Sequence, residues 1–421
     1  MLDIKFIREN PELVQKATNE KNFPVDIKAL LESDHQLRSA RSRWEELQTQ
    51  RNQISKTIGK AAPEDRDALK KEVLDIKDKM TDLTQELRDR EAEFHQFMLR
   101  VAQPARGDVP VGKDDQENVE IRTWGQPPEF DFTPQDHITI GEKSEMIDIP
   151  RGVKLSGSRS YVFKGDGALL EQALLRYGYD HLVKKGFTPM SVPVLVNNSA
   201  MEGTGYFPLG KDQAYCVEKD EMALVGTSEV SLCSLHADEF LSHEQLPVRY
   251  MAQTTCFRRE AGTYGKDTKG LYRVHQFQKI EMVVIAPADK ETTDKLHEEL
   301  LSLAEGLLQD LNLPYRVVYV CSGDLGQGQV RKHDIETWMP SRDGYGETHS
   351  CSSFYDFQAR RLNIKYKDAK GKKHIAYTLN NTFLAAPRII LALLENHQTK
   401  EGKVRVPECL RPYLDGREFL G

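Results

Sequence analysis

A chain of 421 residues with 39% hydrophobic content is long enough for two or three domains and a sizeable core. Its 58 lysines and arginines fall short of its 65 aspartates and glutamates, and the formal charge of -7 excludes a protein that coats nucleic acid through bulk positive charge. Any RNA contact must rest on local clusters.

Six cysteines, at positions 216, 233, 256, 321, 351 and 409, lie far apart with no CxxC pair, so neither a structural zinc nor a disulfide framework is expected. A reducing cytoplasm is the simplest setting. The opening MLDIKFIREN carries charges early, and no apolar run approaches the roughly 18 residues of a membrane span.

In chain order, the first signal is a heptad seam. From Leu69, apolar residues recur at Val73, Ile76, Met80, Leu83, Leu87, Phe94, Phe97 and Val101, with Arg90 as the polar interruption. Upstream, Leu37, Ala40, Trp44, Leu47, Ile54 and Ile58 form a second seam, interrupted by Arg51. Gly59 to Pro63 ends one helix and starts the next, which predicts an antiparallel coiled-coil hairpin. Two helices of roughly 33 residues make an arm about 50 Å long. So thin a hairpin suits either oligomerisation and spacing or reaching a distant partner. Residues 104–134, rich in Pro, Gly and charge with weak periodicity, read as a linker.

Beyond the linker, GALLEQALLRYGYDHLVKKGF reads as an amphipathic helix with Leu169, Ala173, Leu174, Tyr177, His181 and Leu182 on its apolar face, followed by a strand through TPMSVPVLV. Gly205 to Asp212 comes within one residue of a P-loop, but Asp212 replaces the magnesium-binding Ser/Thr and Pro208 interrupts the loop. Val225-Gly-Thr-Ser-Glu-Val230 places Thr227, Ser228 and Glu229 together, a group that also fits a helix cap.

TTCFRREAGTYGKDTKGLYRVHQFQKIE, residues 254–281, reads as two strands joined by a Gly- and Lys-rich loop. A two-residue period puts Arg258 and Glu260 on one face, and Arg273, His275, Phe277 and Glu281 on one face of the return strand. Two guanidiniums, an aromatic plate and two carboxylates suit a nucleotide with a small second substrate; a polar surface hairpin would use the same residue types. Two further runs follow: GYGETHSCSSFYDFQARR, residues 344–361, and TLNNTFLAAPR, residues 378–388, the latter read as strand, turn and buried helix.

These motifs, in this order, resemble the class II aminoacyl-tRNA synthetases, and FRREAGTYGKDTKGLYRVHQFQKIEM closely resembles the seryl-tRNA synthetase form of motif 2, bacterial type. The resemblance runs nearly the whole length, from the hairpin to PECLRPYL. It implies an α+β fold, an antiparallel sheet flanked by helices and preceded by the coiled-coil arm, with residues 1–103 a tRNA-binding domain and 135–421 the catalytic domain. It implies ATP-dependent activation of L-serine and transfer to tRNA(Ser), with tRNA(Sec) left open as a second partner, by a cytoplasmic homodimer whose interface includes the helix at Leu169.

By the same resemblance the catalytic residues are Arg258, Glu281 and Arg388. ATP falls to Arg258, Arg259, Glu260, Phe277, Glu347, Thr348, His349, Ser350 and Arg388; serine to Thr227, Ser228, Glu229, Arg258, Glu281 and Thr382; Mg²⁺ to Glu347 and Ser350. Tyr264, Lys266 and Lys269 of the motif 2 loop would meet the tRNA end. His275 reads as a packed residue, not a base. Two departures stand out. His349 replaces a more usual Ser, and Asn381 and Phe383 stand where motif 3 often has glycine, which puts a left-handed turn at Phe383 in doubt. A carrier-protein ligase and an inactive scaffold remain as alternatives.

Overall fold

The computed structural model describes residues 1–262 and 269–421. Contacts divide them into a helical unit, Leu2–Ala102, and a body, Gln103–Gly421 together with Met1.

In the helical unit, α1 (Ile4–Glu9) and α2 (Pro11–Glu20) precede the long α3 (Ile27–Ile58), which turns back through Gly59 into α4 (Pro63–Met98). Asp26 caps α3 by accepting from the amides of Lys28 and Ala29, and Pro63 starts α4 where its missing N–H costs nothing. The seam buries Leu37, Ala40, Ile76, Met80 and Leu83. Arg90, its polar interruption, donates to Gln36 and Glu86. Trp44 Nε1 donates to Thr84 Oγ1 at 3.1 Å, and Arg41–Glu91 and Arg43–Glu86 ion pairs cross the hairpin, fixing the two helices in antiparallel register.

The body is built on one eight-stranded sheet. Its strands, in chain order, are β1 (Val119–Trp124), β2 (Thr188–Met190), β3 (Val248–Phe257), β4 (Gln276–Ala286), β5 (Tyr315–Tyr319), β6 (Arg331–Met339), β7 (Gly344–Tyr355) and β8 (Tyr377–Ala385). Their spatial order is β1-β5-β6-β7-β8-β4-β3-β2, antiparallel throughout except where β2 joins β3 in parallel. Strand β1 lies inside the stretch read as a linker. Five of its six residues pair with β5, Ile121 sitting at a bulge, and Arg122 reaches Glu305, an edge pairing that exposed, weakly periodic residues did not signal. TPMSVPVLV is likewise not one strand: only Thr188–Met190 joins this sheet, and Leu195–Asn197 joins a small separate one.

One face of the sheet is covered by α5 (Asp166–Lys184), α7 (Lys290–Asp310) and α9 (Ala386–Asn396), which bury Ile280, Met282, Val284, Leu379 and Phe383 with Leu300, Leu307 and Ile390. On the opposite face α6 (Glu229–Ser234) and α8 (Phe357–Arg361) cover one end, packing Leu232 and Ala359 on Val283 and Ile285. The rest of that face holds two joined cavities. In α5 the buried face runs through Leu170, Ala173, Leu174, Gly178 and Leu182; Leu169, assigned above to that face, is 50% exposed.

Two bulges change what strand alternation alone predicts. In β7, Ile335 faces His349 while Glu336 faces Glu347, so Thr348 is an extra residue and Glu347 and Ser350 come to one side despite their odd spacing. In β8, Thr382 faces Glu281 and Leu384 faces Ile280, so Phe383 is extra. No left-handed turn forms there, neither Asn381 nor Phe383 having positive φ, and β8 runs directly into α9. The Phe383 ring instead fills the core beside Gly178 and His181, where glycine would leave a hole. Phe383→Gly, which would restore the residue common in motif 3, is therefore expected to cost about 4 kcal/mol. Urea or thermal unfolding checks this; an unchanged midpoint would remove the ring from the core.

Candidate active site

Strand alternation places Phe277, Lys279 and Glu281 of β4 on the open face, beside Asn380 and Thr382 of β8 and Ser350 and Ser352 of β7. The strand period stops at Gln276, so Arg258, Glu260, Arg273 and His275 sit on the irregular segments beyond the strand ends and not on a shared strand face.

The first cavity, about 70 Å³, is walled by Arg258, Glu260, Phe277, Glu347, Ser350 and Arg388, with Tyr272. The second, about 260 Å³, is walled by Tyr206, Thr227, Glu229, Glu281, Asn380 and the glycine-rich loop 326–329. Arg258, Lys279, Ser350 and Thr382 line both, so the two spaces adjoin across these four side chains. Arg258 and Glu281 thus share a cavity.

The first cavity is cationic with a carboxylate rim. The Arg258 guanidinium lies 5.4 Å from the Phe277 ring centroid, and its Nε donates to the Gly226 carbonyl at 3.3 Å. Arg388, on the first turn of α9, donates from Nη1 to the Glu347 carbonyl at 2.7 Å, pairs with its carboxylate at 3.4 Å, and lies 4.6 Å from the Tyr272 ring. Arg342 lies 3.8 Å from that ring, so Tyr272 contacts two guanidiniums. Burial pushes the Glu347 carboxyl up, but Arg388, Lys332 and Arg258 outweigh it and hold the group below its ordinary value, ionised near neutral pH. Glu260 sits at φ +52° and pairs with Arg273 at 3.4 Å.

The second cavity holds two carboxylates in different surroundings. Glu281 is ion-paired to Lys279, which is itself 3% exposed. Thr227 Oγ1 accepts from Lys279 Nζ at 2.7 Å and donates to Glu281 at 3.2 Å, tying the loop before α6 to the pair. Among the described residues Glu229 has only neutral donors: Tyr206 O–H to one oxygen at 2.9 Å and Gln358 Nε2 to the other at 2.7 Å. Burial, reinforced by Glu281, raises its carboxyl to about 7.

Not every residue singled out above faces these spaces. Arg259, Ser228 and His349 line neither cavity. The backbone of Arg259 is held by the Gln213 carbonyl. Ser228 is fully buried, and His349 is buried with its ring bonded to Thr348 and to the Phe383 carbonyl. The Thr348 bulge accounts for His349, since it turns that side chain to the core as it brings Glu347 and Ser350 to the cavity. Thr348 lines the first cavity but its hydroxyl is tied to Thr337 and the Ile335 carbonyl. His275 bonds the Arg258 carbonyl and lines an outer groove with Tyr215. Tyr264 and Lys266 lie outside the described residues, and Lys269 lines neither cavity. Near the P-loop-like segment, Gly205 ends a short helix in the left-handed region and Tyr206 enters the second cavity, with no strand-loop-helix cradle for a phosphate.

Sequence reasoning missed Lys279, Tyr206, Tyr272 and Gln358. Lys279 was legible, lying midway between Phe277 and Glu281 on their two-residue period. Gln358, 129 positions from its partner Glu229, had no local signal.

An antiparallel sheet flanked by helices, with a cationic and a carboxylate-lined cavity adjoining on one face, is the architecture of a class II synthetase core, and a family model described as the tRNA synthetase class II core domain (G, H, P, S and T) matches residues 215–397. A second, the seryl-tRNA synthetase N-terminal domain, matches residues 1–103. A serine–tRNA ligase of Deinococcus radiodurans is 49% identical over all of this chain and 99% of its own length. The structure of a Pyrococcus horikoshii seryl-tRNA synthetase complexed with ATP superposes with a TM-score of 0.92 at 37% identity, covering 100% of this chain and 99% of that one. A Naegleria fowleri cytoplasmic serine–tRNA ligase in complex with AMP superposes at 0.87 and 30% identity, covering 100% and 98%. The chain belongs to the seryl-tRNA synthetase family.

Because the folded state binds the Glu229 proton more tightly than the unfolded chain, stability falls as pH rises from about 4.5 to about 7. Glu229→Gln should remove that dependence and raise stability at pH 8 by about 3 kcal/mol, the gain shrinking as pH falls toward 5. Thermal unfolding of both proteins across pH measures it; a gain that does not vary with pH contradicts the assignment.

Proposed function

We propose that this protein joins L-serine to ATP, forming seryl-adenylate and releasing pyrophosphate, and then passes the seryl group to the 3′ end of tRNA(Ser). The observation that carries the reading is the pair of adjoining cavities, one cationic, the other holding two buried carboxylates, with Arg258 lining both. Family membership and the ATP and AMP complexes of the two structural relatives support it.

The nucleophile in the first step is the serine carboxylate, ionised at neutral pH, so no general base is required. Catalysis then rests on alignment and on positive charge held at the α-phosphorus. Arg258 faces both cavities and holds the carboxylate against the α-phosphate. Phe277 and Arg388 take the adenine between ring and guanidinium, with Glu260 at the base edge. The donor set fits Mg²⁺: Glu347 is ionised and lines the first cavity, and Ser350 adds a hydroxyl in the same wall, the sparse hard-oxygen set that leaves room for phosphates and water. When bound there, the ion would neutralise the triphosphate's charge.

Glu281 already has a cation in Lys279, so Glu229 remains as the counter-charge for the substrate ammonium, while Glu281 and Thr382 pair with the side-chain hydroxyl. Alanine is then rejected because it leaves those groups unpaired. The coiled-coil arm meets the tRNA by shape and backbone, consistent with its near-balanced charge. A homodimer through α5 accounts for the exposure of Leu169 and Val183. The cytoplasm, where ATP, serine and tRNA are at hand, is the compartment this reading assigns.

Serine-dependent ATP–pyrophosphate exchange, run across the twenty amino acids, tests the reading directly: serine alone should support it, and no exchange with serine would overturn it. Arg258→Ala should lower exchange by roughly a hundredfold or more. Replacing residues 45–83 with a short turn across the Trp44–Thr84 contact should abolish tRNA charging and spare exchange; equal loss of both would make the arm structural.

A further inference from the structure

Gln358 is wholly buried in α8, behind Glu229 and away from the cavity, and each of its polar atoms is committed. Nε2 donates to Glu229 Oε1 at 2.7 Å and to the Thr204 carbonyl at 3.1 Å. Oε1 accepts from Thr378 Oγ1 at 2.6 Å and from the Cys233 thiol at 3.7 Å. The amide cannot be turned over. The Thr204 carbonyl can only accept, so the NH₂ group must lie on that side and must also be what Glu229 meets. Tyr206 O–H closes on the other carboxylate oxygen from the cavity side.

We propose that Gln358, with Tyr206, is a positioning residue for serine activation: two neutral donors grip the Glu229 carboxylate from opposite sides and hold it, negatively charged and fixed in direction, where the substrate ammonium docks. The inference rests on the reading of Glu229 as that ammonium's counter-charge. A cation behind Glu229 would compete with the substrate for it, and an apolar residue would leave a buried carboxylate to take up a proton. A neutral amide anchored by Thr204 and Thr378 avoids the first and limits the second. Hydrogen bonds to the charged form oppose the burial that drives Glu229 toward protonation. The other ionisable groups facing it are Glu281, Lys279 and Arg258 across the cavity and the Cys233 thiol on its own helix.

The test is the pH dependence of kcat/KM for serine in pyrophosphate exchange. For Gln358→Leu and for Tyr206→Phe, the midpoint should move up by roughly one pH unit, a loss of about tenfold at pH 6 that fades by about pH 8.5, while KM for ATP stays within about twofold. Loss that is uniform across pH, or an equal rise in KM for ATP, would make Gln358 merely structural. A second measurement needs no substrate: the stability difference between Glu229 and Glu229→Gln proteins, followed against pH with and without Gln358→Leu. Its midpoint must also rise. If it rises while the exchange profile stays put, the clamp stands and the ammonium assignment falls; if neither moves, the clamp is wrong.

Discussion

Two buried carboxylates form the constraint on which the rest of this structure turns. Glu229 and Glu281 share a cavity, and like charges buried together are unfavourable unless each is answered. The protein answers them differently. Lys279, itself buried, neutralises Glu281 and is held by Thr227. Among the described residues Glu229 receives hydrogen bonds from neutral donors and pairs with no cation, which leaves the cavity one positive charge short. Tyr206, Gln358, Thr204 and Thr378, from three separate segments, converge around Glu229 and hold that arrangement in one geometry. The body's fold brings those segments together.

The same logic extends across the sheet. Arg258 and Arg388 gather positive charge in the first cavity, and Glu347 stays ionised because those guanidiniums and Lys332 outweigh its burial. A triphosphate and a small zwitterion can therefore lie side by side, each meeting opposite charge, with Arg258 common to both. The helices on the far face supply the rigidity. Phe383 and Ile280 are fully buried beneath the strands that carry Thr382 and Glu281, so those side chains are held by core packing and not by loops.

Much of this was legible in the residues. Heptad spacing, with Gly59 and Pro63 between the seams, defined the arm and its fold-back, because a coiled coil is local in its chemistry. Arg258, Phe277, Glu281, Glu347 and Arg388 lie in runs distinctive enough to be placed together by resemblance. The period-2 pattern succeeded inside β4 and failed just outside it, where Arg273 and His275 no longer obey a strand. It also failed at Thr348 and Phe383, because a bulge shifts every later side chain to the other face and leaves no mark in composition.

The sequence by itself therefore determined the family, the arm, and most of the charged groups that line the two cavities, since those depend on residue type and short spacing. Only the tertiary structure decided which of them face the site: it turned His349 to the core, left Arg259 and Ser228 off both cavities, and recruited Val119–Trp124 into the sheet. It alone brought Tyr206 and Gln358 to Glu229. The reason is physical: a carboxylate's charge and direction are set by whatever surrounds it in space, and those neighbours come from parts of the chain that share no local pattern.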